Sequence, residues 1–233
     1  MFPATIFDFN GVLVDDEQVH REAFRDVLGP LGVAFSDEAY VERYLGFDDI
    51  GALRAMLTDA GRFTTDAQIE ALAAAKRPFY MRRAEVGLVV FDGAIDAVRR
   101  RAAKGTVAIV SGALRDEITF ALERMGIKDL ISHIISAEDT PRCKPDPMGY
   151  ELCLRVLAAR PGVDGAVRAL VIEDSLAGIE SAKAAGLVCM AVAHSYAEAR
   201  LREAGADAVV SRIADIDDAL VDDLYRRHLG SHG

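Results

Sequence analysis

The sequence predicts an α/β fold: a Rossmann-like, mainly parallel sheet with helices on both faces, plus an inserted all-helical cap domain. Three observations carry this. From Val86 onward short apolar runs alternate with amphipathic stretches, a single apolar run stands at the N-terminus, and the residues between them lack any strand-like run. Repeated β–α alternation implies a parallel sheet whose crossover helices cover it.

Ala4–Asp8 reads as the first strand, an apolar run ending in a carboxylate. The further strands are Thr106–Val110, Leu130–Ile135, Ala169–Ile172, Val188–Val192 and Ala208–Val210, each too short and too uniformly apolar for an amphipathic helix. Residues 93–104, 113–125, 146–159, 176–185, 196–204 and 215–228 carry the helical period. The glycine-ended tail from Gly230 reads as frayed. Within 15–85 the helices fall at 16–28, 37–44, 49–59 and 66–83, punctuated near Gly29-Pro30, Gly46 and Gly61. The division is therefore a core of 1–14 and 86–233 and a helical cap of 15–85, placed where a cap can shield a reaction from water.

Composition bounds the function. In 233 residues, 51% hydrophobic and 27% charged content suits a soluble protein with a sizeable core. A formal charge of −10 argues against nucleic acid and against anionic membrane surfaces as partners. No apolar run reaches the ~20 residues that span a bilayer, and the N-terminus reads as having no secretory signal. Cys143, Cys153 and Cys189 are odd in number and lack metal-type spacing, which points to a reducing, cytoplasmic setting.

Four strand ends carry polar residues. Asp8 is followed by Phe9-Asn10-Gly11, and Ser111-Gly112 follows the second strand. Lys144 stands in the proline-stiffened Pro141-Arg142-Cys143-Lys144-Pro145-Asp146-Pro147, and the fourth strand delivers Glu173-Asp174-Ser175 before Gly178. Ligands of open α/β sheets bind beyond the carboxyl ends of the strands. Any one of these residues alone would read as a turn, a helix cap or a solvated charge.

In this order the four segments resemble the four motifs of the haloacid-dehalogenase-like (HAD) hydrolases. Lys144-Pro145 with Pro147 and Tyr150, and Glu173-Asp174-Ser175 with Gly178, resemble its β-phosphoglucomutase and phosphoglycolate-phosphatase branch, which inserts a helical cap after the first strand. The resemblance implies an Mg²⁺-dependent phosphatase acting on a small phosphorylated metabolite through an aspartyl-phosphate at Asp8. Asp8, Asp174 and the Asn10 backbone carbonyl would hold Mg²⁺, with Glu173 as a further candidate ligand or an orienting neighbour. Ser111, Gly112 and Lys144 would bind the phosphoryl group. His20, on the first cap helix, would face the substrate, and Asp48 and Asp49 form an acidic loop that is either solvated or, falling where the family's cap contacts substrate, part of that contact. The chemistry fits the residue types: a carboxylate cannot approach a phosphate dianion until a hard cation and an ammonium offset the charge. The assembly expected is a monomer or homodimer.

Asn10 departs from the pattern. The family has an Asp there that protonates the leaving oxygen and then activates water, and an amide cannot exchange that proton. Such catalysis is worth ~10²–10⁴-fold, roughly 3–5 kcal/mol. The open alternatives are a substrate with a good leaving group (an acyl or aryl phosphate), a proton supplied by His20 or Glu17, or a degenerate site that only binds a phosphometabolite. The Asn10-Gly11 pair is also prone to deamidation. A phosphohexomutase of the same fold is a further alternative, disfavoured because it must reprotonate sugar hydroxyls.

Overall fold

The computed structural model describes residues 1–159 and 168–230; of the tail expected to fray, Gly230 ends the last helix and residues 231–233 lie outside the described residues. Contacts divide the chain into two compact units, Met1–Val14 with Val90–Gly233, and Asp15–Val89.

The first unit is built on a six-stranded parallel sheet: β1 (Ala4–Phe7), β2 (Thr106–Val110), β3 (Ile131–Ile135), β4 (Ala169–Glu173), β5 (Val188–Val192) and β6 (Ala208–Val210). Its order is β3-β2-β1-β4-β5-β6. The chain first builds outward from β1 through β2 to β3, then returns to the other side of β1 with β4. That reversal makes the crevice at the carboxyl ends of β1, β2 and β4 the natural ligand position. Register is fixed by continuous pairing, Phe7 opposite both Ile109 and Ile172. The central strands are buried throughout, as expected of a parallel sheet covered on both faces.

Side chains alternate between the faces. Ala4, Ile6, Ala108, Val110 and Val171 pack with Tyr150, Cys153 and Leu157 of α7 (Met148–Ala158) and with Ile179 of α8 (Leu176–Ala184). On the opposite face the buried Arg101 of α5 (Ala94–Ala102) donates from Nε to Thr5 Oγ1 at 3.0 Å. The sheet is thus covered on both sides, and the strands lie within a residue of their predicted bounds.

Among the described residues the second unit contains helices and no strand: α1 (Glu17–Leu28), α2 (Asp37–Arg43), α3 (Asp49–Asp59) and α4 (Asp66–Gly87), with a 3-10 turn at Gly29–Leu31. Phe24, Leu28, Tyr40, Tyr44, Leu53, Met56, Leu57 and Ile69 form their shared core. Thr65 and Gln68 close a capping box at the start of α4, each side chain bonding the other's backbone. This helix runs four residues past its predicted end at 83 and continues through Pro78. The ring removes one backbone donor. The turn beyond it is retained because Tyr80 and Ala84 are buried, Tyr80 donating its hydroxyl to the buried Asp16 carboxylate at 2.5 Å.

Lys76, also on α4, is completely buried. Its ammonium pairs with Asp49, lies 2.7 Å from His20 Nδ1 and sits over the Phe24 ring. Removing one partner of a buried pair costs ~3–5 kcal/mol, because the other charge stays behind. Asp49 is partly exposed, so Lys76→Met is expected to destabilise toward the lower end of that range in urea unfolding. A loss within experimental error of zero would show that water already screens Asp49.

Candidate active site

Asp8 follows the last residue of β1, and its backbone N–H donates to Ile172 O at 2.9 Å, extending the β1–β4 pairing by one residue. The chain then turns through Asn10 and Gly11, where φ is +73°. A methyl group at Gly11 would also collide with the Asp174 carboxylate. Glycine is needed there twice, for the left-handed backbone and for the close approach. Gly178 plays the second part at the start of α8, where a methyl would overlap the Glu173 carboxylate.

Three strand tips and the loop carrying Lys144, nine residues beyond β3, thereby converge. Carboxylate oxygens of Asp8, Glu173 and Asp174 lie within 4.8 Å of one another, and all three residues are buried. Lys144 Nζ lies 2.9 Å from Asp8 Oδ1, donates to Glu173 Oε1 at 2.6 Å and donates to the Val110 carbonyl at 3.1 Å. Two of its three donors form hydrogen bonds, and the ammonium faces Asp8 as an ion pair. Ser111 Oγ donates to Asn10 Oδ1 at 3.4 Å and accepts from Ala113 N at 3.2 Å. A small pocket beside them is lined by Ser111, Gly112, Ser136, Thr140, Arg142 and Lys144.

Both oxygens of Glu173 are taken. Oε1 accepts from Lys144 and, at 2.9 Å, from the Tyr150 hydroxyl, while Oε2 accepts from the backbone of Asp174 and Ser175 and from Ser175 Oγ. Glu173 could join a metal only by giving up one of these bonds. Asp174 accepts from Ser195 Oγ, a residue beyond the tip of β5.

Three carboxylates against one ammonium leave the cluster two charges short of neutrality when all are ionised. The titration behaviour reflects it. Burial pushes Asp8 up to about 6, against the attraction of Lys144. Burial, then Glu173 and Asp8, hold Asp174 well above the usual carboxylate range. Burial would raise Glu173 too, but Lys144 and its hydrogen bonds outweigh it and the net shift is downward. Lys144 is driven up by Asp8 and Glu173 in spite of burial. A divalent cation would supply the missing charge, and an oxygen-only donor set of this kind suits Mg²⁺.

His20 belongs to the helical unit. Its partners there are Asp16, Asp49 and Lys76. Burial and Lys76 pull its pKa down, and the two carboxylates outweigh them so that the net shift is upward. Asp48 caps α3, accepting from Gly51 N at 2.9 Å, while Asp49 is engaged with Lys76. Sequence reasoning passed over Lys76, because a lysine inside an amphipathic helix reads as solvated. It also passed over His194 and Ser195, although the strand-tip rule that found Ser111 applies equally to a polar pair just beyond the apolar run of β5.

The model of the haloacid dehalogenase-like hydrolase family matches residues 2–186. The chain belongs to the haloacid dehalogenase-like hydrolases. This HAD-like chain is 28% identical over 205 residues to validoxylamine A 7'-phosphate phosphatase of Streptomyces hygroscopicus, covering 88% of the chain and 92% of that protein. It is 29% identical over 228 residues to phosphoglycolate phosphatase of Rhodospirillum rubrum, covering 93% and 90%. Among solved structures, β-phosphoglucomutase from Clostridium difficile superposes with a TM-score of 0.84 at 19% identity, over 98% of this chain and 99% of that one. That last likeness speaks to the fold, a parallel-sheet core of HAD type with a helical cap.

Proposed function

We propose that this HAD-like hydrolase is an Mg²⁺-dependent phosphatase that hydrolyses a small phosphorylated metabolite through an aspartyl-phosphate on Asp8. The observation that carries the reading is the convergence of Asp8, Ser111, Lys144 and Asp174 in one buried cluster at the sheet's switch point. The relatives' names, a validoxylamine A 7'-phosphate phosphatase and a phosphoglycolate phosphatase, support phosphomonoesters as the substrate class.

On this reading Asp8, Asp174 and the Asn10 backbone carbonyl hold the ion, and Glu173 anchors Lys144. When bound, Mg²⁺ supplies the positive charge that lets carboxylate and phosphate approach. Asp8 attacks phosphorus, the ester oxygen leaves, and water later cleaves the acyl phosphate to restore the carboxylate. Lys144 and Ser111 hold phosphoryl oxygens. Lys144 is hydrogen-bonded to Glu173 and to the Val110 carbonyl, so it grips the substrate through the donor that faces Asp8 as an ion pair, which releases that carboxylate to react. His20 contributes to the substrate site from the cap, and the core, expected to resume at 86, resumes at Val90 because α4 runs on to Gly87. A cytoplasmic setting accords with three free cysteines and with the absence, among the described residues, of a helix long and apolar enough to cross a membrane.

A second reading rests on Asn10, whose amide cannot carry the proton a phosphatase moves: a site that binds a phosphometabolite and turns it over poorly or not at all. A mutase is disfavoured on the same ground. One experiment separates the first two. Phosphate release is measured across a panel of sugar phosphates, phosphoglycolate, aryl phosphates and acyl phosphates, with Mg²⁺ or with EDTA. Mg²⁺-dependent release from at least one member is expected. No release from any, alongside saturable binding of one of the same compounds, would favour the binding protein.

A further inference from the structure

Beyond β5 the chain presents His194 and Ser195, which the mechanism above leaves without a role. Their placement follows from the sheet. β5 is paired to β4 with Ile172 opposite Met190 and Glu173 opposite Ala191, so the residues after Val192 stand beside the Glu173–Asp174 corner. Ser195 Oγ donates to Asp174 Oδ2. His194 Nδ1 lies 2.8 Å from the Gly11 carbonyl oxygen. A carbonyl only accepts, so Nδ1 carries the proton, and that bond fixes the ring's tautomer.

The imidazole is itself held. It stacks on Phe91 with ring centroids 3.9 Å apart and planes 21° from parallel. Phe91 in turn donates its backbone N–H to Leu13 O at 3.1 Å. The corner after β5 is therefore tied by one side chain to a carboxylate of the acidic cluster, and by the next to the turn that follows the nucleophile. Both residues are partly buried, and both belong to the same compact unit as Asp8 and Asp174.

We propose that Ser195 and His194 are positioning residues for the metal centre: Ser195 aims the Asp174 carboxylate, and His194 latches the Asn10–Gly11 turn so that the Asn10 carbonyl keeps its place. The proposal rests on the reading that Asp8, Asp174 and that carbonyl hold the ion. The physical need is plain. Asp174 is crowded by two other carboxylates, and without a donor on one oxygen it would rotate to separate the charges. A neutral hydroxyl fixes Oδ2 without discharging the group, leaving the other oxygen for a cation. Such outer partners orient metal ligands, and losing one typically costs 10–100-fold in metal affinity or activity.

The test titrates Mn²⁺ into the full chain and reads free ion by electron paramagnetic resonance, with thermal melting in EDTA as the folding control. Ser195→Ala is expected to weaken Mn²⁺ binding by ~10–100-fold, with melting unchanged, and Ser195→Thr to restore affinity because the hydroxyl returns. His194→Phe keeps the stack on Phe91 but deletes the donor, and should also weaken Mn²⁺. His194→Asn, whose amide can donate to the Gly11 carbonyl, should recover part of the loss. If Ser195→Ala does not fold, the two His194 variants carry the decision. Parent-like Mn²⁺ affinity in Ser195→Ala and His194→Phe, with or without lower melting, would overturn this proposal alone. A parent chain that binds no Mn²⁺ would overturn the metal reading and this proposal with it.

Discussion

Asp8→Asn is expected to reduce phosphate release by at least ~10⁴-fold, to the floor set by contaminating activity, while leaving the chain folded. On the proposed mechanism the substitution removes the atom that bonds to phosphorus, and an amide oxygen at neutral pH is no substitute. Shape and volume are kept, so packing around β1 should not change. Stability in the absence of metal should rise if anything, because one of three crowded carboxylates becomes neutral. The sign follows from the shift. Burial raises Asp8 from 3.8 to about 6, so the folded chain holds that proton more tightly than the unfolded one. The group favours folding at low pH, and this contribution disappears as pH climbs through about 4 to about 6. Melting temperatures in EDTA should therefore diverge over that window, with Asp8→Asn increasingly the more stable of the two. Turnover comparable to the parent's would require another nucleophile, and a lower melting temperature would show that Lys144 depends on Asp8 for its burial.

Asn10→Asp should raise turnover of alkyl phosphates by ~10²–10⁴-fold and that of aryl or acyl phosphates far less. An alkoxide is a poor leaving group and needs its oxygen protonated as the bond breaks. A phenolate or carboxylate departs with little help. Metal affinity should hardly move, because the ligand at this position is proposed to be the backbone carbonyl. The parent chain, given an acyl phosphate, should accumulate the aspartyl-phosphate, since the attacking water lacks its base. Intact-protein mass spectrometry would detect that adduct and would first establish that Asn10 has not deamidated at the Asn10-Gly11 bond. Equal acceleration across leaving groups would mean that Asp at this position improves placement instead of moving a proton. No acceleration would point to a proton from elsewhere, with His20→Ala as the next variant.

The central strands were legible because they are buried on both faces and so appear as largely apolar runs, as in Ala4–Phe7 and Val107–Val110, whereas β3 and β6 at the sheet edges are partly exposed. The carboxyl-end rule then places Asp8, Ser111 and Asp174 at one edge of the sheet. What sequence could not disclose was how many bonds each group already makes. Glu173 reads as an available carboxylate, yet both of its oxygens are spoken for, partly by a hydroxyl that Tyr150 delivers from α7. Asp48 and Asp49 read as an acidic loop, and one is a helix cap while the other faces a buried ammonium. Lys76 was missed for the converse reason: its partners come from α1 and α3, whose packing against α4 no local pattern encodes. Continuation of α4 past Pro78 is likewise a tertiary effect, since Tyr80 and Ala84 are buried beyond the break.

The junction of the inserted segment has a consequence for how such a protein can change over time. Val14 and Val90 form an antiparallel bridge, and Asp15 N–H donates to Val89 O at 2.9 Å. The insert leaves and re-enters the core through two backbone strands clipped side by side, so its ends are already together before its own fold is counted. Closing a longer excursion from such a point adds only ~0.6 kcal/mol for each doubling of its length. Lineages carrying this clip are free to lengthen, shorten or exchange the inserted helices as a block. The parallel sheet need not be rebuilt each time.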